Sequence, residues 1–449
     1  MGMLTASLLA AVMTLSAAGD GWRAGVARED ITPAESMWLA GYAARTRPAE
    51  GTIHPLWVKA LAVEDAAGNR GLIITSDILG FPKSLSDRIL ARFEKEASLD
   101  AARVILNSSH THSGPVVDGS LMCIYPLDDT EREKIRRNTA LLEEKVVSAG
   151  LAALASLAPA RLEAANGVAR FAVNRRNNKE AEILATHDFN GPVDHAVPVL
   201  RVTDADGAVR ALLFGYACHN TVLDGLKWCG DYAGFAQAAL EEAHPGVTAL
   251  FFQGCGANQN PLPRRTLSLA KKYGAELAGA VECALAEPMT PLEPSLAAAR
   301  SEVELLLETP ISRGKLEGIR DTDKGYMRQA ALEMLAELDA GRPLRVSYPF
   351  PVQVWRLGGL PLVAFAGETV VDYAVHAKAM LGPEAFVMGY SNDVMSYIPT
   401  AAIVREGGYE GDSSQMIYGM PAKWREDIEE RILGALRGAA EGAGLSPKE

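Results

Sequence analysis

The chain has 449 residues, enough to bury a large core in one domain or in two lobes sharing a cleft. Apolar residues make up 48% and charged residues 22%, a globular balance that excludes a disordered or fibrous protein. Acidic residues outnumber basic ones by 56 to 44, and no basic run offsets the net charge of −12, which argues against a nucleic-acid partner. Five cysteines cannot all pair within one chain, and their spacing is not that of a disulfide framework.

In chain order, residues 3–18 form an uncharged apolar stretch with the small residues Ser16 and Ala18 before Gly19. This is the pattern of a secretory signal peptide cleaved after Ala18, although no Lys or Arg precedes the run. The expectation is a secreted or periplasmic protein, with residues 1–18 removed and residues 19–449 forming a single domain. The run is shorter than the ~20 residues that span a bilayer, and no later apolar run reaches ~18, so no integral membrane segment is expected in the mature chain.

Residues 57–65 and 71–77 read as strands, being rich in apolar and β-branched residues. A helix is predicted over 84–96, a strand over 103–110 and a long helix over much of 131–156. Strands follow at 197–203 and 211–219, then a helix over 232–243 capped by Asp231. A strand at 248–254 enters a Gly/Asn/Pro-rich loop before an apolar helix over 266–286. Beyond Pro288 come a strand (301–308), a charged helix (324–339), strands at 352–358 and 361–366, a helix (370–380), a strand (385–390) and a last helix (421–440). The order predicts an α/β fold with a mixed sheet core and flanking helices, and a parallel core would suit the alternation.

Polar segments recur directly after the apolar runs. SSHTHSGP follows RVILN, ACHNT follows ALLFGY, QGCGANQNP follows TALFF, GET follows PLVAFA and YSNDVMSY follows AFVMG. Ligand sites of open α/β sheets gather beyond the carboxyl ends of strands, where loops converge on a rigid base. His110 and His112 would share one face of an extended segment. His219 ends a buried-looking strand. Glu368 follows an apolar run, where a carboxylate is costly unless paired or metal-bound, and Asp77 is placed to orient a histidine. Two or three histidines plus a carboxylate suit Zn²⁺ with an open position for water, which acidifies that water and polarises a carbonyl. The plainer alternative is a set of loop and core histidines satisfied by nearby backbone.

Nucleophilic catalysis has weaker support. No G-x-S-x-G elbow is present, and Ser113 has only adjacency to His112 in its favour. Cys255 in QGCGANQ could be a nucleophile, whereas Cys218 and Cys229 read equally well as core thiols. No G-K-[ST] follows the glycines around Cys255, which excludes a P-loop.

Across roughly residues 22–437 the ordered set resembles the neutral, non-lysosomal ceramidases, specifically their catalytic N-terminal domain. The resemblance rests on GVAREDITP (25–33), the glycine–tyrosine segment after it, SSHTHSGP (108–115), GYACHNTVL (215–223), GDYAG (230–234), FAGET (365–369) and YSNDVMSYIPT running on to Tyr409 and Glu410-Gly411. It implies a zinc-dependent amidase splitting an N-acyl bond, with His110, His219, Glu368 and Tyr397 as zinc ligands. It also implies that His112 acts as general base and then acid, and that Arg175 binds a polar group of the substrate, with Arg176 adjacent.

Three departures from the family pattern stand out. Asn258 replaces an aspartate and Asn260 a serine, which disfavours a serine nucleophile but leaves Asn260 able to hold substrate or the attacking water. Val404 stands where a tyrosine would help stabilise an oxyanion, and valine donates no hydrogen bond. The family's C-terminal immunoglobulin-like domain is also expected to be lacking. The partner expected is therefore a small-molecule or lipid N-acyl substrate, not necessarily ceramide. The alternatives are a zinc esterase or lactonase, or an exported binding protein without turnover. Nothing in the sequence sets the oligomeric state.

Overall fold

Two runs that the sequence reading passes over, Trp22–Asp30 and Ala158–Val168, form the middle of the main sheet in the computed structural model, which describes residues 21–448. Both are half-exposed and carry no apolar run, so neither periodicity nor hydrophobicity marks them. The expected leader over residues 1–18 lies outside the described residues. Among the described residues, no helix is long and apolar enough to cross a membrane.

The main sheet comprises β1 (Trp22–Asp30), β2 (Trp57–Glu64), β3 (Arg70–Ser76), β4 (Val104–Ser108), β5 (Ala158–Val168), β6 (Ala196–Asp204), β7 (Val209–Tyr216) and β8 (Thr248–Gln253). Their spatial order is β8-β7-β6-β5-β1-β2-β3-β4, with Thr290–Pro291 added beside β5. Within this order only β3–β4 and β7–β8 run parallel. A wholly parallel core fails because β2–β3 and β6–β7 are joined by short turns, which enforce antiparallel pairing. Each turn is locked by an aspartate: Asp65 accepts the Ala67 and Asn69 N–H groups, and Asp204 accepts those of Asp206 and Ala208.

A second sheet holds β9 (Leu296–Leu306), β10 (Ser347–Leu357), β11 (Leu360–Phe365) and β12 (Phe386–Met388), in that order. The two sheets face each other across Leu61, Ile73, Ile105, Leu250 and Phe252 on one side and Trp355, Leu362 and Ala364 on the other. Helices α1 (Lys83–Ala97) and α2 (Asp129–Ala155) cover β2–β4, while α3 (Asp231–Ala243) and α4 (Leu267–Ala286) cover β6–β8. A hairpin of α5 (Arg313–Thr322) and α6 (Gly325–Asp339) separates β9 from β10. Its first helix escapes sequence reading because Leu316 is its sole buried residue. Finally α7 (Asp372–Leu381) and α9 (Ile428–Gly442) pack on the outer face of the second sheet, with the short α8 (Ala401–Glu406) between them in the chain. The mixed α/β architecture is thus four layers, helix–sheet–sheet–helix.

The last helix starts at Ile428 rather than at residue 421. Pro421 brings no N–H, and Trp424 instead turns into the core, its indole donating to Tyr397 O at 2.9 Å.

The edges of the main sheet, β4 and β8, do not pair by backbone. The segment Met388–Asn392 threads between them, with bridges Asn107↔Ser391 and Gly254↔Met388. Asn107, fully buried, stitches the three together. Its Oδ1 accepts the Gln253 N–H at 2.8 Å, and its Nδ2 lies 2.8 Å from Gly389 O and 3.3 Å from Gln253 O. Replacing Asn107 by Ala would leave the Gln253 N–H buried without a partner, whereas the Gly389 C=O keeps the Ser391 hydroxyl. Denaturant unfolding of Asn107→Ala is expected to show a loss of about 3 kcal/mol, and a loss below about 1 would show that the strand ends hold without it.

Candidate functional site

Each candidate side chain leaves a strand end near this closure. His110 follows β4 in the left-handed backbone region, at φ 58°, and its Nδ1 lies 2.6 Å from Leu79 O. His219 follows β7, with Nδ1 2.8 Å from Gly256 O. A nitrogen facing a carbonyl oxygen carries the proton, so both rings turn an Nε2 inward. Glu368 follows β11 in a two-residue bridge that pairs it with Tyr397. Gly367 precedes it at φ 68°, where an added Cβ would stand 2.4 Å from the Ile398 side chain, so glycine alone fits.

The side chains converge on one point. Glu368 Oε2 lies 3.2 Å from His110 Nε2 and 3.1 Å from His219 Nε2. His112 Nε2 is 3.2 Å from His110 Nε2, and the Tyr397 hydroxyl is 3.4 Å from His219 Nε2. Burial, helped by the Arg175 charge, pushes His219 down to about 4, so at neutral pH its Nε2 is a bare lone pair. Burial works against the Glu368 carboxylate, yet His110 and His219 prevail and hold it well below the usual range. A lone pair and a carboxylate oxygen at this distance repel unless a cation lies among them. The donor set of His110, His219, Glu368 and Tyr397 therefore suits a divalent ion such as Zn²⁺.

Three imidazole nitrogens, those of His110, His112 and His219, lie within 4.8 Å of one another and could also hold an ion. Second contacts separate them. His110 and His219 each donate Nδ1–H to a carbonyl, the arrangement that fixes a metal-binding ring, whereas buried His112 Nδ1 has no partner among the described residues. His112 packs on Tyr42 with ring centroids 4.7 Å apart, and burial followed by the neighbouring histidines holds it well below its ordinary value. Gly41 makes its space, since a Cβ there would come within 2.3 Å of His112 Nδ1. A neutral imidazole with mobile tautomers suits proton transfer.

Arg175 forms the rim. Its Nη2 donates to the Tyr397 hydroxyl at 3.2 Å, Nη1 approaches Asn260 Oδ1 at 3.4 Å and Nε donates to Glu410 at 2.8 Å. Arg176 points elsewhere, to Glu406 and Glu410. Burial and the Glu368 charge raise the Tyr397 phenol well above its usual range, a tendency that a bound cation would reverse.

Several expectations need revision. Asp77 orients no histidine; it accepts the Trp57 N–H at 3.0 Å, and Leu79 O orients His110 instead. Asp231 is the first residue of α3 rather than its cap, and it accepts the N–H groups of Val222, Leu223 and Tyr232 to fix the loop after His219. Asn258 accepts the Val371 N–H at 2.9 Å and donates to Asp372 at 3.3 Å, so both ends of its amide are engaged within the fold. Val404 is buried in the apolar cluster with Ile403, Tyr397 and Trp424 and brings no donor to the site. Burial raises the Cys255 thiol far above its usual value, which removes the thiolate that nucleophilic attack requires. Two tyrosines escape the sequence reading as site residues: Tyr418, which donates a short hydrogen bond to Glu368 Oε1, and Tyr390, 3.4 Å from Oε2. Tyr390 stands within the YSND segment, whereas nothing around Tyr418 in MIYGMP marks it.

Residues 22–258 match the family model described as neutral/alkaline non-lysosomal ceramidase, N-terminal. The chain is 27% identical over 271 residues to the neutral ceramidase of Pseudomonas aeruginosa, covering 58% of this chain and 40% of that protein. It is 26% identical over 239 residues to neutral ceramidase B of Dictyostelium discoideum, covering 51% of this chain and 32% of the relative. The matched stretches thus span well under two thirds of either relative. Among solved structures, a ceramidase complexed with C2 superposes with a TM-score of 0.73 at 19% identity, covering 96% of this chain and 77% of that one. The crystal structure of the Pseudomonas aeruginosa neutral ceramidase gives 0.73 at 20% identity, covering 96% and 76%. These superpositions establish the shared fold.

The Glu410 carboxylate, 3% exposed, pairs with both Arg175 and Arg176, and removing it leaves the partly buried Arg175 without a carboxylate while Arg176 keeps Glu406. Glu410→Ala is expected to cost about 3 kcal/mol at neutral pH by denaturant unfolding. Burial opposes the charge, but Arg175 and Arg176 hold the carboxyl below its ordinary 4.5. The contribution is therefore complete above that value and fades as pH falls through the lower folded-state value, so the gap between wild type and variant should narrow in acid. A gap unchanged with pH would show that the loss is not electrostatic.

Proposed function

The chain belongs to the neutral/alkaline non-lysosomal ceramidase family, and from that premise we propose that it is a zinc-dependent amidohydrolase cleaving a linear N-acyl bond. The observation that carries the reading is the convergence of His110 Nε2 and His219 Nε2 on Glu368 Oε2, with both Nδ1 atoms committed to carbonyls. His110, His219, Glu368 and Tyr397 would hold the ion. When bound, it supplies Lewis acidity, which acidifies a water and polarises a carbonyl.

The chain's own residues supply the proton and charge handling. His112, kept neutral by burial, takes a proton from the attacking water at Nε2 and returns it to the departing nitrogen. Arg175 places a permanent charge against the Tyr397 hydroxyl, where negative charge on the carbonyl oxygen develops. Asn260 and Tyr409 border the same opening and orient the substrate. Tyr418 and Tyr390 fix the Glu368 carboxylate, holding its plane towards the histidines. Burial of Cys255 leaves this water-based route without a thiolate as rival.

A lipid N-acyl substrate is the second reading. It is favoured by membership of the ceramidase family, whose matched model covers residues 22–258.

Metal analysis paired with turnover tests the assignment. Wild type should bind about one zinc per chain and lose amide hydrolysis on chelation. His219→Ala and Glu368→Ala should each fall well below stoichiometric zinc. His112→Ala should keep its zinc while kcat drops roughly 10²–10⁴-fold. Full zinc in the Glu368 variant would overturn its role as a ligand, and undiminished turnover in the His112 variant would overturn the proton relay.

A further inference from the structure

A cleft of about 570 Å³ opens directly at Arg175 and Asn260, and its walls are charged. Arg176, Lys179, Glu180, Arg264, Glu406 and Glu410 line it, and Tyr409 contributes its one aromatic ring. No Leu, Ile, Val, Met or Phe belongs to the wall among the described residues. An alkyl chain laid here would desolvate charged groups with no aliphatic side chain to pack against, a net cost. The volume suits a small molecule.

Matching charges across the cleft leaves donors over. Glu410 is satisfied by Arg175 and Arg176, Glu406 by Arg176, and Glu180 by Nε and Nη2 of Arg264. Arg264 Nη1 has no partner among the described residues, and the Arg264 side chain is only 12% exposed. The Lys179 ammonium bonds only Glu182, three residues along on the surface. These two cations stand at the cleft with hydrogen-bonding capacity unspent. Arg264 shares the cleft wall with Asn260 and Arg175, and Arg175 donates in turn to the Tyr397 hydroxyl beside His219. An anion held at Arg264 would therefore share one cleft with the Arg175–Tyr397 side of the site.

We propose that this cleft is an anion subsite and that the enzyme selects small N-acyl compounds carrying a carboxylate, N-acyl amino acids being the simplest class. The inference rests on the amidohydrolase reading above. Water adds to the acyl carbon, the C–N bond breaks, the acyl half leaves as a carboxylate, and the nitrogen departs as the amino acid's amine with the proton relayed by His112. Arg264 and Lys179 are specificity residues in this scheme and take no part in bond cleavage.

The test compares N-hexanoylglycine, N-hexanoylglycinamide and a short-chain ceramide on zinc-loaded full-length protein. The two glycine compounds differ only in the charge of the distal group. N-Hexanoylglycine should show kcat/KM at least about 10-fold above the amide, a charge-assisted contact being worth that much. Arg264→Gln and, independently, the more exposed Lys179→Gln should shrink the ratio mainly through KM. A parallel binding arm uses calorimetry on the His112→Ala protein, where N-hexanoylglycine should bind more tightly than the amide and lose that advantage with Arg264→Gln. Equal kcat/KM for the two glycine compounds, or preference for the ceramide, would overturn the anion subsite while leaving the amidohydrolase intact. No hydrolysis of any compound, with selective binding of the anion retained, would instead sink the amidohydrolase reading and keep the subsite.

Discussion

Asn107 is where the two sheets become one site. A carboxamide in a dry interior must place both its donors and its acceptor, and this one does so on the ends of three different strands. The network continues outward. Gln253, whose N–H it accepts, donates its own side-chain amide to Cys218 O, and Asn220 links Gln253 to Ser109 O. Ser109 and Cys218 immediately precede His110 and His219. His112 is fixed in turn by its N–H on Asn220 O. A closed circuit of buried amides thus sets the distance between the two histidine loops before any ion or substrate enters. Since each member would be orphaned by loss of the next, the geometry is specified cooperatively rather than by any single contact.

The second half of the site is held by different means. Tyr397 is clamped at its backbone by Trp424 and at its hydroxyl by Arg175, and Arg175 is clamped by Glu410. The Pro421 break before α9 and the buried tryptophan belong to this clamp as much as to the core. One carboxylate, Glu368, lies at the junction of both halves and accepts from tyrosines on one side while facing imidazoles on the other. A buried anion so surrounded is tolerable because every oxygen has a partner, the tyrosine hydroxyls on one side and the two imidazoles on the other.

What can be read from the sequence follows from this division. His110, His219 and Glu368 are legible because each ends a strongly apolar run, and a polar group at a strand end must have a reason to be there. Tyr397 is not legible on those grounds and comes only through resemblance, since a tyrosine after a loop is chemically ordinary in a string of letters. Tyr418 is farther still from recognition, its role arising wholly from a fold that returns residues 416–418 to Glu368. The same limit explains β1 and β5, central in the sheet yet half-exposed and therefore silent in hydropathy. Val404 shows the opposite hazard. Resemblance alone marks it as a missing donor, its side chain is core, and Tyr390, Tyr409 and Tyr418 bring hydroxyls to the site from other positions.

The contrast between the two sets of constraints bears on substrate choice. Residues that converge on Glu368 are buried and locked through backbone carbonyls, amide circuits and glycines that admit no Cβ, so changing one disturbs the others. The cleft wall at Lys179, Glu180 and Arg264 meets no such demand. Its ion pairs are partly solvated and its side chains rest on a loop and a single helical turn. Such pairs contribute little to stability, so their composition can change without cost to the fold. A reaction centre can therefore be retained while the surface that admits the substrate changes. Arg264, on that wall and paired with Glu180 through Nε and Nη2, keeps one donor, Nη1, for something that enters the cleft.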